Sequence, residues 1–515
     1  MFGRVYSGAV AGVDAYRIEV EVDCSGGLGQ IHIVGLPDAA VKESQERVKS
    51  AIKASEFFMP PGKKWVVNLA PADVRKEGPA FDLPIAVGVL TSSGYLKAEK
   101  LHDYWMIGEL SLDGSVRSIN GVLPVAMSCR EMGVRNLIVP EGNFAEAELI
   151  EGLKIYPVSH LKQVCSILTA GGGAVISSDA RELFKRHQQF STKYPDFADV
   201  KGQTLAKDAM AVAAAGRHNV LMVGPPGTGK SMLAQRLPGI MPPLDFEEAL
   251  ELTKLYSVAG LLSTKGGIVT ERPYRAPHHS ASLPGLIGGG ANPKPGDISL
   301  SHLGVLFLDE LTEFPRAYVD AMRQPLESGK VTISRAQMNV TFPADFLLVG
   351  ACNPCPCGYR GDVFKNCLCT PFSADRYWSR LSGPFMDRMD IHVEVSRVDE
   401  QALRSLEGHP NSELMRMRVI RAVERQKSRF PDPASFVYNS QLQQNELRKF
   451  CQITPKQREE LAKAITNSGM SARAFDRVLR LARTLADLDD CERIGTDHIA
   501  EALHFRRQKR KPALG

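Results

Sequence analysis

Asn219-Val-Leu-Met-Val-Gly-Pro-Pro-Gly-Thr-Gly-Lys-Ser231, running on into Met232-Leu-Ala-Gln-Arg-Leu237, is the stretch that decides the fold. The apolar run 219–223 predicts a short buried strand, 224–231 a glycine-rich loop and 232–237 a helix, so G-x-x-x-x-G-K-S stands in the strand–loop–helix setting that it requires. Gly224, Gly227 and Gly229 let the backbone curl until its N–H groups face a phosphate at the positive end of the following helix. The pattern gives Lys230 the β- and γ-phosphates and Ser231 a Mg²⁺ ion, with Thr228 in the same cradle. ATP and Mg²⁺ are the expected cofactors.

Working outward, Gly304-Val-Leu-Phe-Leu308 reads as a second buried strand that ends in Asp309-Glu310. An acidic pair at the end of a neighbouring parallel strand supplies what an ATPase needs, Asp309 for the Mg²⁺ shell and Glu310 to polarise the attacking water. The alternative is a solvated acidic turn. From about Phe197 to Val395 the pattern is that of a parallel-sheet nucleotide-binding core. After Arg397 the segments 400–407, 412–427, 440–451, 455–468, 472–488 and 496–505 all read as helices.

Upstream, strand-like runs alternate with amphipathic helices: Ala15–Val22, Trp65–Leu69 and Leu137–Val139 as strands and Asp38–Ala54 as a helix. The Gly171-Gly172-Gly173 triplet and the polar stretch after it break this pattern. The expected organisation is an α/β or α+β domain over 1–170, a linker over 171–195, a nucleotide-binding core over 196–396, and a helical lid with a basic tail over 397–515. With 515 residues the chain has room for about three domains of ordinary size. Its composition, 43% hydrophobic and 23% charged, excludes a disordered or fibrous protein. No apolar run approaches the ~20 residues of a membrane span, and Met1–Val10 lacks the charged start and apolar core of a signal peptide. A soluble, cytoplasmic protein with no membrane partner is expected. Sixty-three Lys and Arg against 58 Asp and Glu permit a polyanionic partner without arguing for one.

Five of the ten cysteines lie between Cys352 and Cys369. Cys355-Pro-Cys357 and Cys367-Leu-Cys369 form C-x-C…C-x-C with nine residues between the pairs. Four thiolates on so short a loop can close a tetrahedral Zn²⁺ site, structural rather than catalytic because no open ligand position is apparent. Buried free thiols are the alternative.

The loop and acidic motifs, together with Arg272-Pro-Tyr-Arg-Ala-Pro-His-His279, Leu286-Ile-Gly-Gly-Gly290, Pro325–Thr332, Ala351-Cys-Asn-Pro354 and Leu381-Ser-Gly-Pro-Phe-Met-Asp-Arg388, resemble the magnesium-chelatase-like branch of the AAA+ ATPases. Within that branch the order of the domains is similar to the bacterial ComM/YifB family over essentially the whole chain. The resemblance implies a P-loop AAA+ fold, a homo-hexameric ring with ATP between subunits, and a helicase or branch-migration motor on single-stranded or branched DNA. Such a motor would serve recombination, as in natural transformation, with a recombinase or other loading partner left open. It further implies that Asn353 is the sensor that positions the water, that Arg388 is the arginine finger donated to the neighbour's ATP, and that Arg473 in Ser471-Ala-Arg is the second sensor.

The stretch Arg75-Lys-Glu-Gly-Pro-Ala-Phe-Asp82, with Ile107–Val116 and Ile138–Gly142, is similar to the proteolytic domain of Lon proteases. That family needs a Ser–Lys dyad. Here the serine position is Ala80 and the lysine position falls at Leu123 or Pro124, so neither nucleophile nor base is present and proteolytic inactivity follows. The family comparison also carries the expectation that the chelatase's own motor subunit lacks such a first domain. Lys330–Phe342 reads as a hairpin, which in related ring helicases projects into the central channel, and 272–290 stands where that clade carries a second channel loop; the resemblance implies DNA contacts through Lys330, Arg335, Arg275, His278 and His279, with ordinary solvated loops as the alternative. The tail Phe505–Lys511, five cations in seven residues, is either a DNA contact or a frayed end. Competing functions are metal insertion into a porphyrin, protein remodelling by the same ATPase, and proteolysis through another nucleophile.

Overall fold

Alternation of side chains over 15–22 does make a strand: in the computed structural model it lies within Asp14–Gly26, burying Ile18, Val20 and Val22. The structure describes residues 2–506 apart from 28, 73–75, 171, 177–178, 189–193, 263–266, 291, 336–337, 363, 398–410, 433–434 and 472. The segment predicted as a helix over 400–407 and the basic tail beyond Arg506 therefore lie outside the described residues, as do part of the glycine triplet and the turn between the two strands of the hairpin.

An eight-stranded mixed sheet forms the N-terminal region, in the order Val175–Ile176, Lys154–Val158, Asn136–Pro140, Tyr104–Met106, Phe2–Ala11, Asp14–Gly26, Lys63–Ala70, Ile31–Val34. The helix Ala39–Ala54 starts where Asp38 accepts the N–H of Val41 at 2.8 Å, and it presents Val41, Val48, Ala51 and Ile52 to this sheet's core. The helix Asp82–Ser92 is buried along its whole length, which its near-uniform apolar sequence requires. Its first residue, Asp82, is neutralised by Arg47 at 2.6 Å.

The second sheet has five parallel strands in the order Tyr274–Arg275, Val305–Leu308, Leu347–Cys352, Val220–Val223, Ile391–Glu394. In chain order this is second, third, fourth, first, fifth, so the glycine-rich loop leaves an interior strand at its carboxyl end. One apolar cluster joins this sheet to the C-terminal helices, with Val220 and Val393 of the sheet and Val478, Leu485 and Phe505 of the helices among its members. Those helices are Ser412–Lys427, Gln444–Phe450, Pro455–Asn467, Arg473–Leu488 and Thr496–Arg506. The single helix expected over 440–451 is a 3-10 turn, Asn439–Gln441, followed by Gln444–Phe450, because Gln443 and Glu446 form a capping box that restarts the chain.

The stretch read as a linker carries structure of its own. Val175–Ile176 pairs with the strand Lys154–Val158, and the helix Ala180–Gln188 sets Phe184 edge-on to Phe246 at 5.9 Å. The helix Phe246–Ala259 in turn bonds the first region: Ser257 donates to Glu146 at 2.5 Å, and Lys254 pairs with Asp14 at 2.6 Å. No helix among the described residues is long and apolar enough to cross a membrane.

Candidate functional site

Gly224 follows the strand Val220–Val223 at a point where a Cβ would lie 2.1 Å from the carbonyl oxygen of Val395, so only glycine lets the loop leave the sheet there. Gly227 and Gly229 have φ of +78° and +92°, left-handed values that turn the backbone N–H groups inward ahead of the helix Lys230–Ile240. Thr228, between them, is buried and donates to the carbonyl of Pro225 at 3.0 Å.

Lys230 is buried at the first turn, its Nζ donating to the carbonyls of Gly224 at 2.7 Å and Pro225 at 2.9 Å. Burial lowers its pKa, against the opposing pull of Asp309, Cys352 and Glu310. Ser231 Oγ donates to Asp309 Oδ2 at 2.8 Å. A helix N-terminus, a glycine cradle, one buried cation and a hydroxyl–carboxylate pair are the donor set that a Mg²⁺-bound nucleoside triphosphate needs.

Glu310 has a φ of +49°, a left-handed conformation that costs a non-glycine residue about 1–2 kcal/mol. Its N–H donates to Asp309 Oδ1 at 2.9 Å and its Oε2 lies 3.6 Å from Nδ1 of His279. Asn353 stands just past the strand Leu347–Cys352, with Oδ1 3.5 Å from Lys230 Nζ. The structure thus brings together Lys230, Ser231, Asp309, Glu310 and Asn353 from three neighbouring strand ends.

Two predicted residues lie apart from that group. Arg388, after the short helix Gly383–Met386, pairs with Glu327 and donates to the carbonyl of Pro384. Arg473 is exposed at the first residue of its helix.

The four cysteines form one cluster, with all four Sγ atoms within 4.8 Å of one another, Cys355–Cys357 at 3.3 Å and Cys355–Cys367 at 3.6 Å. Backbone N–H groups of Tyr359 and Leu368, with the neighbouring thiols, bring the pKa of Cys357 down to about 6. Four convergent sulfurs of this spacing suit a tetrahedral ion of Zn–S radius near ~2.3 Å. The cluster also touches the phosphate loop: Gly358, at φ +83°, is so close to Pro226 that a Cβ would lie 2.9 Å from the proline ring.

The expected DNA contacts divide. Lys330 is exposed at the start of the hairpin Lys330–Arg335 and Met338–Pro343, whereas the side chain of Arg335 lies outside the described residues. Arg275 is held by Asp297, Nε to Oδ1 at 2.9 Å, which a cation read in isolation did not reveal. His278 bonds Ser280 at 2.7 Å and lies tilted against His279, the ring centroids 4.1 Å apart. Sequence reading assigned His279 to the same loop, and its approach to Glu310 had no signal in the spacing. In the N-terminal region Ala80, Gly121 and Val125 line a cleft of about 1690 Å³ between the first sheet and the residues 339–341 of the hairpin.

Residues 196–403 match the protein family described as magnesium chelatase, subunit ChlI; residues 20–143 match subunit ChlI of Mg-chelatase, and 409–506 its C-terminal region. The ComM competence protein of Haemophilus influenzae is 42% identical over 507 residues, covering 98% of this chain and 97% of the relative. YifB of Salmonella typhimurium is 42% identical over 504 residues, with 98% and 96% covered. A Lon protease of Brevibacillus choshinensis is 28% identical over 165 residues, 30% of this chain and 21% of the protease.

Proposed function

Because the chain belongs to the ComM/YifB family of magnesium-chelatase-like AAA+ ATPases, we propose that it is an ATP-driven, homo-hexameric motor that migrates branches in DNA recombination intermediates. The Haemophilus influenzae relative is named a competence protein, which supports recombination of imported DNA, as in natural transformation, as the setting. The observation that carries the ATPase half is the hydrogen bond from Ser231 to Asp309, which prepares a hydroxyl and a carboxylate as neighbouring Mg²⁺ ligands.

On this reading Gly224, Gly227, Thr228, Gly229 and Lys230 bind the phosphates, Glu310 polarises water and Asn353 orients it. Bound Mg²⁺ supplies charge neutralisation on the β- and γ-phosphates. Arg388 leaves Glu327 to reach the ATP of the neighbouring subunit, and Arg473 reports the nucleotide state to the lid. Zn²⁺ on Cys355, Cys357, Cys367 and Cys369 stiffens the loop against Pro226. The division at 1–170, 171–195, 196–396 and 397–515 gives a proteolytically inactive Lon-like domain, a connecting segment, a motor and a lid. Single-stranded or branched DNA passes Lys330 and Arg335 in a cytoplasmic ring.

A second reading, ATP-driven metal insertion into a porphyrin, draws on the chelatase description of all three matched segments. ATP turnover measured with branched DNA and, separately, with a metalloporphyrin precursor separates them. Stimulation by DNA supports the motor; stimulation only by the porphyrin and its metal replaces it with the second reading.

A further inference from the structure

Asp390 lies two residues beyond Arg388, just before the strand Ile391–Glu394, and three parts of the molecule converge on it. From the phosphate-loop strand, the N–H of Asn219 donates to Asp390 Oδ2 at 3.3 Å, and the preceding His218 approaches the same oxygen at 3.6 Å. From the lid, Arg477 of the helix Arg473–Leu488 lies 3.6 Å from Oδ1. Arg506, at the end of the helix Thr496–Arg506, donates to the main-chain carbonyls of Met389 at 3.1 Å and Asp390 at 3.2 Å.

Asn219 completes the bracket. Its Nδ2 donates to the carbonyl of Arg388 itself at 3.1 Å, while its Oδ1 accepts the N–H of Leu348, on the strand that leads to Asn353, at 2.9 Å. His218 reaches back to the lid through Thr484 Oγ1 at 2.8 Å. Burial pushes the Asp390 carboxyl up, but His218, Arg477 and Arg506 hold it down at about 2, so it is a charged anchor at neutral pH. The segment that carries Arg388 is therefore held at its base by the phosphate-loop strand on one side and by two lid arginines on the other.

We propose that Asp390 is a positioning residue through which the lid of one subunit sets the placement of its own Arg388, and so the rate of hydrolysis at the neighbouring subunit. The physical reason is that a charged, multiply bonded carboxylate cannot follow the lid and keep its other partners unless the short segment 387–390 moves with it. This rests on the reading of Arg388 as a finger that acts between subunits. Movement of the lid on its own nucleotide is then transmitted around the ring through Arg477 and Arg506 to Asp390, without passing through DNA.

The test mixes two variants of the full-length protein. Asp390→Asn keeps its own nucleotide site but misplaces its finger; Glu310→Gln cannot turn over ATP but keeps its finger. Asp390→Asn alone should lose at least about tenfold in kcat with the KM for ATP within about twofold of the parent, and adding inactive Glu310→Gln subunits should restore turnover. Arg477→Gln, which removes the lid's ion pair with the carboxylate and leaves His218 and Asn219 on it, should behave alike and serves where Asp390→Asn does not fold. Parent-like turnover by these variants, or a loss that Glu310→Gln subunits do not rescue, overturns the proposal. Arg388→Ala in the same mixture keeps the two ideas apart: if it too is not rescued, the finger reading has failed; if it alone is rescued, only the role of Asp390 has.

Discussion

Ser231 and Asp309 meet at 2.8 Å although their parent strands are not neighbours: Leu347–Cys352 runs between Val220–Val223 and Val305–Leu308. The loop must therefore reach across one strand end, and the residue that follows that strand, Asn353, is left facing Lys230 at 3.5 Å. Strand order creates the site, since none of these residues is within 40 positions of the others except in pairs along the loop and the acidic turn.

Glu310 is exposed and its backbone is held at φ +49°, so changing its side chain should leave the fold and nucleotide binding in place. Glu310→Gln should bind ATP with near-parental affinity in a fluorescent-nucleotide titration and lose turnover by about 10²-fold or more, the range for removing a general base. Normal turnover by this variant would show that another group polarises the water.

For the cysteine cluster, elemental analysis should find one zinc per chain. Cys355→Ser with Cys357→Ser should abolish it, because two sulfurs cannot close a tetrahedral site. A fully folded parent protein purified without metal returns the four residues to the role of free thiols.

Contact between the cluster and the phosphate loop gives a sharper expectation. Gly358→Ala adds a methyl 2.9 Å from the Pro226 ring at a φ of +83°, a backbone cost of about 1–2 kcal/mol before any clash. The KM for ATP should rise while zinc content stays the same. Unchanged ATP kinetics would mean that the loop does not bear on nucleotide binding.

Ala80→Ser restores one hydroxyl to the Lon-like region, but Leu123 and Pro124 supply no amine. A casein-degradation assay should stay at background. Peptidase activity in this variant would reveal a base elsewhere in the cleft.

Much of this was legible in the chain. The strands ending at Val223 and Leu308 are short, uniformly apolar and followed by turn chemistry, so burial and direction both follow from composition. Four cysteines within fifteen residues can hardly avoid meeting, and they do. What stayed hidden depends on pairing at a distance. Arg275 reads as a free cation until the fold places Asp297 against it, and Asp390 reads as an ordinary acidic residue until the lid brings Arg477 from 87 positions away. The helix Ala180–Gln188 sits in a polar stretch and needs only Ala180 and Phe184 to dock it, too few apolar residues to announce a helix after a glycine triplet.

The most direct test of the central claim is ATP-dependent displacement of a labelled strand from a branched DNA substrate by the intact protein and by Lys230→Ala. Lys230 contributes the buried cation of the phosphate site, so displacement by the intact protein and none by the variant is the predicted result. Vigorous ATP hydrolysis with neither displacement nor stimulation by DNA would contradict it.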